Sequence, residues 1–147
     1  MTQPDAVDVL VVEDQAADAQ LILRALRGKN LGDNVLWVRD GAMALDFLER
    51  TGPYAGRPLE RLPRLVLLDM KLPKLDGIDV LQRIRRVETL SGIPVVMLTS
   101  SQERRDIERS YAGGANSYIV KPVDFDRFID TVSTMAVYWM RYNQAPP

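Results

Sequence analysis

Five short apolar runs, each followed by a longer amphipathic segment, restrict this chain to very few folds. The runs are "VDVLVV" (7–12), "NVLWVR" (34–39), "RLVLLD" (64–69), "IPVVMLT" (93–99) and "NSYIVK" (116–121). Their length and β-branched content suit strands, and their apolar character on both faces suits strands covered from above and below. Between them, apolar residues recur at helical spacing: Ala17, Leu21, Ala25 and Leu26 within 16–28, with Gly28 as a stop, then segment 41–50, then Ile78, Leu81 and Ile84 within 77–87. Segment 100–114 has a capping-box pattern, Ser100 to Glu103, and a Gly113-Gly114 stop. A Gly/Pro-punctuated loop occupies 51–63, and a last long helix is predicted over 124–143. Right-handed crossovers then predict an α/β fold: a doubly wound five-stranded parallel sheet in the flavodoxin-like order 2-1-3-4-5, with helices on both faces. No repeat or compositional break divides the 147 residues, so one domain is expected over 1–147, with its core at about 7–140 and short tails.

In such folds the site lies outside the carboxyl ends of the strands. The first run ends in Glu13-Asp14, the third in Asp69, the fourth in Thr99-Ser100 and the fifth in Lys121-Pro122. Carboxylates, hydroxyls and an ammonium therefore converge on one edge. Carboxylates brought close repel one another unless a cation sits among them, and oxygen-only ligands select a hard ion, for which Mg2+ fits best. One carboxylate is then placed to attack phosphorus and form an acyl phosphate, with Thr99 and Lys121 stabilising charge on the moving group. Each residue alone has a plainer account: an acid pair caps a helix, an acid suits a strand exit, Thr suits a strand and Lys suits solvent. Their joint arrival at one edge carries the argument.

The absences discriminate as well. The chain has no Cys and no His, which removes thiolate nucleophiles, Ser-His triads, HExxH zinc sites and any phosphohistidine of its own. The loop "EDQAAD" after the first run has no glycine and is acidic, so it repels the phosphate of FMN or a dinucleotide. A net charge of −1 supplies no pull toward nucleic acid or an anionic membrane. The apolar runs fall far short of the ~18 residues of a membrane span, and the start carries no signal-peptide pattern. A cytoplasmic protein is expected.

The pieces "VVED", "LVLLDMKLPKLDG", "VVMLTSS" and "GANSYIVKP", in that order and spacing, resemble the receiver domain of two-component response regulators. The resemblance implies that Asp69 is the phosphoacceptor and that Glu13, Asp14, Asp69 and the main-chain carbonyl of Lys71 hold Mg2+. It implies that Thr99, Ser100 and Lys121 contact the phosphoryl group and that the Lys121–Pro122 bond is cis, an isomer open to it because the second residue is proline. Tyr118 takes the position of the aromatic switch that turns inward when Thr99 moves; its plainer account is a partly buried strand aromatic. Pro73 and Gly77 shape the loop after Asp69, with Asp76 as the next helix's cap. Lys71 departs from the small polar residue frequent at its place, and an ammonium there alters water access to an acyl phosphate. The stretch "EDQAADAQLILRAL", the 51–63 loop and the aromatic C-terminus are similar to a narrower group, the stand-alone receivers that partner phytochrome-type histidine kinases. The expected partner is thus a sensor histidine kinase. The chain is then no enzyme but a phosphoacceptor that assists its own phosphorylation and dephosphorylation.

The last helix adds a partner question. Between Asp130 and Arg141 it has no charge. Phe125, Phe128, Ile129, Val132 and Ala136 are predicted to pack on the sheet. Met135, Tyr138, Trp139 and Tyr142 form a second apolar strip, read as a homodimer or partner interface; the plainer account folds Trp139 over the core edge. Two other functional classes fit the fold. A phosphorylation-independent pseudo-receiver, acting as an interaction module, requires a missing acceptor or acid, and neither is missing. A Mg2+-dependent phosphohydrolase wants a second acid two residues after its nucleophile, where this chain has Lys71.

Overall fold

The computed structural model describes residues 6–57 and 62–147. Each apolar run becomes a strand and each periodic segment a helix: β1 (Val9–Val12), α1 (Ala16–Gly28), β2 (Val35–Val38), α2 (Gly41–Glu49), β3 (Leu65–Leu68), α3 (Gly77–Arg86), β4 (Val95–Thr99), α4 (Arg104–Ala112), β5 (Ser117–Val120) and α5 (Phe125–Val137). The strands are all parallel in the order β2-β1-β3-β4-β5, the doubly wound flavodoxin-like arrangement expected from the alternation. Val12 pairs with Val38 and Leu68, Leu68 with Met97, and Thr99 with Val120. The strands therefore end together, and whatever follows each one is delivered to the same edge.

Strands β1, β3 and β4 are buried along their full length, which is why they read as unbroken apolar runs. Leu10, Val12 and Leu68 face Phe47 of α2 and Leu81 and Ile84 of α3. Val11 and Leu67 face Ile22 and Leu26 of α1 and Phe128 and Val132 of α5. At about 25 cal/mol per Å² of apolar surface removed from water, these two layers dominate the stability. Helix α4 buries only Ser110 and so lies beside β5 rather than on the core.

Several local expectations change. In α1 the buried stripe is Ala19, Ile22, Ala25 and Leu26, while Ala17 is exposed. The N-cap position of α4 is Glu103, which makes no side-chain capping bond, and not Ser100, because the chain stays non-helical through Glu103 and the helix begins later. Just ahead of the helix, Ser101 Oγ accepts from the Glu103 N–H at 3.3 Å and donates to Asp106 Oδ2. Asp76 precedes α3 without a side-chain capping bond. Phe125 is 70% exposed in the first turn of α5, and Met135, expected outside, is buried. Helix α5 then gives way to a π-helical turn over Tyr138–Tyr142, closed by Asn143 N–H on Tyr138 O at 2.7 Å. Arg64 Nη2 holds that turn through the Met140 carbonyl at 2.6 Å.

The Lys121–Pro122 bond is trans, since no cis peptide occurs among the described residues. Trans is favoured by about 0.5–1 kcal/mol before proline, and the trans chain already carries Lys121 to Asp69. No helix among the described residues is long and apolar enough to cross a membrane.

Candidate functional site

The last rungs of the sheet fix the backbone of the site. Glu13 N–H bonds Val38 O at 3.1 Å, Asp69 N–H bonds Val12 O at 3.1 Å, and Lys121 N–H bonds Thr99 O at 2.8 Å. Residues just past the strands are thus held as rigidly as the strands. The loop after Asp69 is tied as well. Gly77 N–H reaches Met70 O, and Leu75 N–H reaches Pro73 O across Lys74, which sits at φ 69°. Gly77 itself is required there, because a Cβ would run into the Asp69 carbonyl oxygen.

Oxygens of Glu13, Asp14 and Asp69 lie within 4.8 Å of one another. Glu13 is 1% exposed and Asp69 7%. The Lys121 ammonium donates to Glu13 Oε1 at 2.6 Å, Asp18 Oδ2 at 2.8 Å and Asp69 Oδ2 at 2.9 Å, which uses all three of its protons. The other oxygen of Glu13 accepts from the Gln15 N–H at 3.0 Å, the N–H of the N-cap residue of α1, whose own side chain makes no capping bond. Trp37 Nε1 donates to the Glu13 carbonyl at 2.7 Å.

Electrostatics follow from this crowding. Burial, then the neighbouring Asp69 charge, pushes the Glu13 carboxyl up to about 7, although bonds from Lys121 and Gln15 oppose the shift. Burial works against the Lys121 ammonium, yet the hydrogen bonds to Asp18, Glu13 and Asp69 outweigh it and hold the group protonated beyond its ordinary range. Four carboxylates facing one ammonium leave an excess of negative charge that suits a divalent cation.

Thr99 ends β4 at this edge with 1% exposure, its Oγ1 accepting weakly from Ser101 N–H at 3.5 Å, and Ser100 is exposed beside it. Lys71 is exposed in the loop. Tyr118 donates its hydroxyl to the Ser101 carbonyl at 2.9 Å and lies 3.6 Å from Met70 Sδ, so it faces the β4–α4 loop. Burial pushes its phenol up. The aromatic strip at the C-terminus divides: Met135 joins the core, Trp139 packs partly against it, and Tyr138 and Tyr142 stay 49% and 69% exposed. Sequence reasoning missed Asp18, although it is the acid in the first turn of the helix that follows the Glu13-Asp14 pair, one turn from the edge where that pair stands.

The model of the response regulator receiver domain matches residues 9–133. The chain belongs to this receiver family. It is 44% identical over 142 residues to the probable methanogenesis regulatory protein FilR2 of Methanothrix harundinacea, covering 97% of this chain and 89% of that one. With response regulator Rcp1 of Synechocystis the identity is 35% over 132 residues, covering 90% and 88%. The receiver superposes on the Mn(2+)-bound form of Rcp1 with a TM-score of 0.86 at 34% identity, covering 95% and 98% of the two chains. On the phosphorylated cyanobacterial phytochrome response regulator RcpA the TM-score is 0.88 at 37% identity, covering 97% and 99%. The receiver is thus related to phytochrome response regulators, and its acidic cluster fits a divalent metal.

Proposed function

We propose that this receiver takes a phosphoryl group from a sensor histidine kinase onto Asp69. Mg2+ would be held by Glu13, Asp14, Asp69 and the main-chain carbonyl of Lys71. The observation that carries the reading is the buried carboxylate of Asp69 at the end of the central strand β3, set beside two further acids while Lys121 grips its Oδ2. The donor set consists of hard oxygens alone, which matches Mg2+ better than a softer metal. When bound, the cation supplies positive charge that lets an anionic phosphoryl donor approach an anionic acceptor.

In the transfer, an Asp69 oxygen forms the new bond to phosphorus as the phosphorus–nitrogen bond of the donor's phosphohistidine breaks, its electron pair returning to the imidazole. This chain has no histidine, so a partner must bring that donor. Lys121 and the Thr99 hydroxyl, with Ser100 beside it, neutralise charge on the non-bridging oxygens. The receiver assists its own modification and turns over no separate substrate. Output runs through its surface: Tyr118 couples Thr99's loop to β5, and exposed Tyr138 and Tyr142 offer aromatic surface to a second copy. Similarity to RcpA, a phytochrome response regulator, supports a phytochrome-type kinase as partner, and the place of action that goes with this reading is the cytoplasm.

Intact mass after incubation with Mg2+ and acetyl phosphate tests the reading. One phosphate adduct is expected, absent in Asp69→Asn. An adduct kept by that variant overturns the residue assignment. No adduct from either acetyl phosphate or a phosphorylated histidine kinase overturns the function.

A further inference from the structure

We propose that Asp18 is a positioning residue of this site: it tethers the Lys121 ammonium to α1 and keeps it over Asp69 while the other two carboxylates turn to a cation and a phosphoryl group. The chemical part of this proposal rests on the phosphoacceptor reading above.

The geometry of donors leads there. Lys121 has three protons and three carboxylate acceptors, at 2.6, 2.8 and 2.9 Å. Two of those acceptors, Glu13 and Asp69, belong to the carboxylate group close enough to share a metal ion, and Asp18 does not. When Glu13 and Asp69 offer their oxygens elsewhere, Asp18 is the acceptor left to Lys121. A divalent cation also repels an ammonium a few ångströms away, and the flexible four-carbon stem lets the ammonium yield. A fixed negative charge on the same ammonium opposes that displacement.

The tether has a rigid base. Asp18 stands in the first turn of α1, and Ile22, Ala25 and Leu26 of that helix share a core with Phe128 and Val132 of α5. The Lys121 side chain is 8% exposed and that of Asp18 30%, so the pair is largely shielded from solvent, unlike an ordinary surface ion pair. It links residues 103 apart in sequence. An acid in the first helical turn also has a purely structural benefit, favourable interaction with the helix dipole, so the test must separate the two.

Asp18→Asn and Asp18→Glu are compared with wild type on three readouts. The Lys121 ammonium protons, followed by NMR with 15N-lysine at saturating Mg2+, where Glu13 and Asp69 are engaged by the cation, are expected to be protected from exchange in wild type, lost in Asp18→Asn and recovered in Asp18→Glu. Divalent-metal affinity, read with Mn2+ and Mg2+, is expected to change less than about threefold. The rate of phosphorylation by acetyl phosphate at saturating Mg2+ is expected to fall about tenfold in Asp18→Asn, as for a misplaced charge-stabilising group, and to return to within about threefold in Asp18→Glu. A helix-dipole role alone would leave the ammonium signal in place. Persistence of that signal in Asp18→Asn overturns the proposal, as does a rate loss accounted for by weaker metal binding. If wild type forms no Asp69-dependent adduct, the phosphoacceptor reading fails, and the NMR measurement still decides the tether.

Discussion

Trp37 donates its indole N–H to the main-chain carbonyl of Glu13 at 2.7 Å, joining the edge strand β2 to the carboxylate cluster. The Arg39 guanidinium lies over the same ring, 5.1 Å from its centroid. The ring therefore touches the backbone of the carboxylate cluster through its N–H edge and carries the exposed Arg39 charge over its face. Titrating Mg2+ or Mn2+ into the receiver is expected to change Trp37 emission, and Trp37→Phe is expected to remove the saturable change while costing about 1 kcal/mol for the lost hydrogen bond. An unchanged response in Trp37→Phe would assign the signal to Trp139 and break the link.

The Glu13 shift fixes the sign of two pH effects. Burial and then Asp69 raise its pKa from 4.5 to about 7. Between those values the folded chain keeps a proton that the unfolded chain has lost, so stability in chelator falls as pH rises through that window and levels above it. Metal binding needs the ionised carboxylate, so affinity runs the other way, rising by up to about tenfold per pH unit and levelling near neutrality. Calorimetric titrations on both sides of neutrality check this. A flat affinity profile would remove Glu13 from the ligand set.

Among the described residues, Lys121 is the one ammonium bonded to three carboxylates. Lys121→Met leaves those acids facing one another, and stability measured by urea unfolding in chelator is expected to drop by about 3 kcal/mol. Added Mg2+ should restore more stability to this variant than to wild type, because the cation then supplies the missing positive charge. Equal restoration in both proteins would show that the metal and Lys121 answer different carboxylates.

Gly77→Ala tests the close approach behind Asp69. Its Cβ would meet the Asp69 carbonyl oxygen and lie 2.8 Å from Met70 Cα, both backbone atoms with little room to yield. A loss of about 1–3 kcal/mol is expected in urea unfolding. Acetyl phosphate labelling should fall further than stability alone explains, since the atom that must shift belongs to Asp69. Wild-type labelling in a folded Gly77→Ala protein would show that the loop moves without disturbing the carboxylate.

The sheet, its order and the edge on which Glu13, Asp14, Asp69 and Lys121 meet were legible in the sequence. Burial on both faces leaves an unbroken apolar run in β1, β3 and β4, and parallel strands place every residue after a run at one edge. These are local patterns, written within four to six residues each.

Tertiary structure alone decided what depends on rotation about a helix axis or on pairs distant in sequence. Phe125 points out and Met135 in, because the exposed first turn of α5 and the seat of its later turns on the sheet are set by packing, not by apolar periodicity. Helix α4 begins at Arg104 with Glu103 at its N-cap position rather than Ser100, since the chain stays non-helical for three residues longer than the capping-box pattern implies. The Lys121–Pro122 bond is trans, an isomer that no local apolar pattern records. Asp18 meets Lys121 only because α1 and the end of β5 are brought together by a core that neither segment contains on its own. Hydrophobic periodicity specifies which face of an element is buried; which polar atoms then come within 3 Å is fixed only when the elements dock.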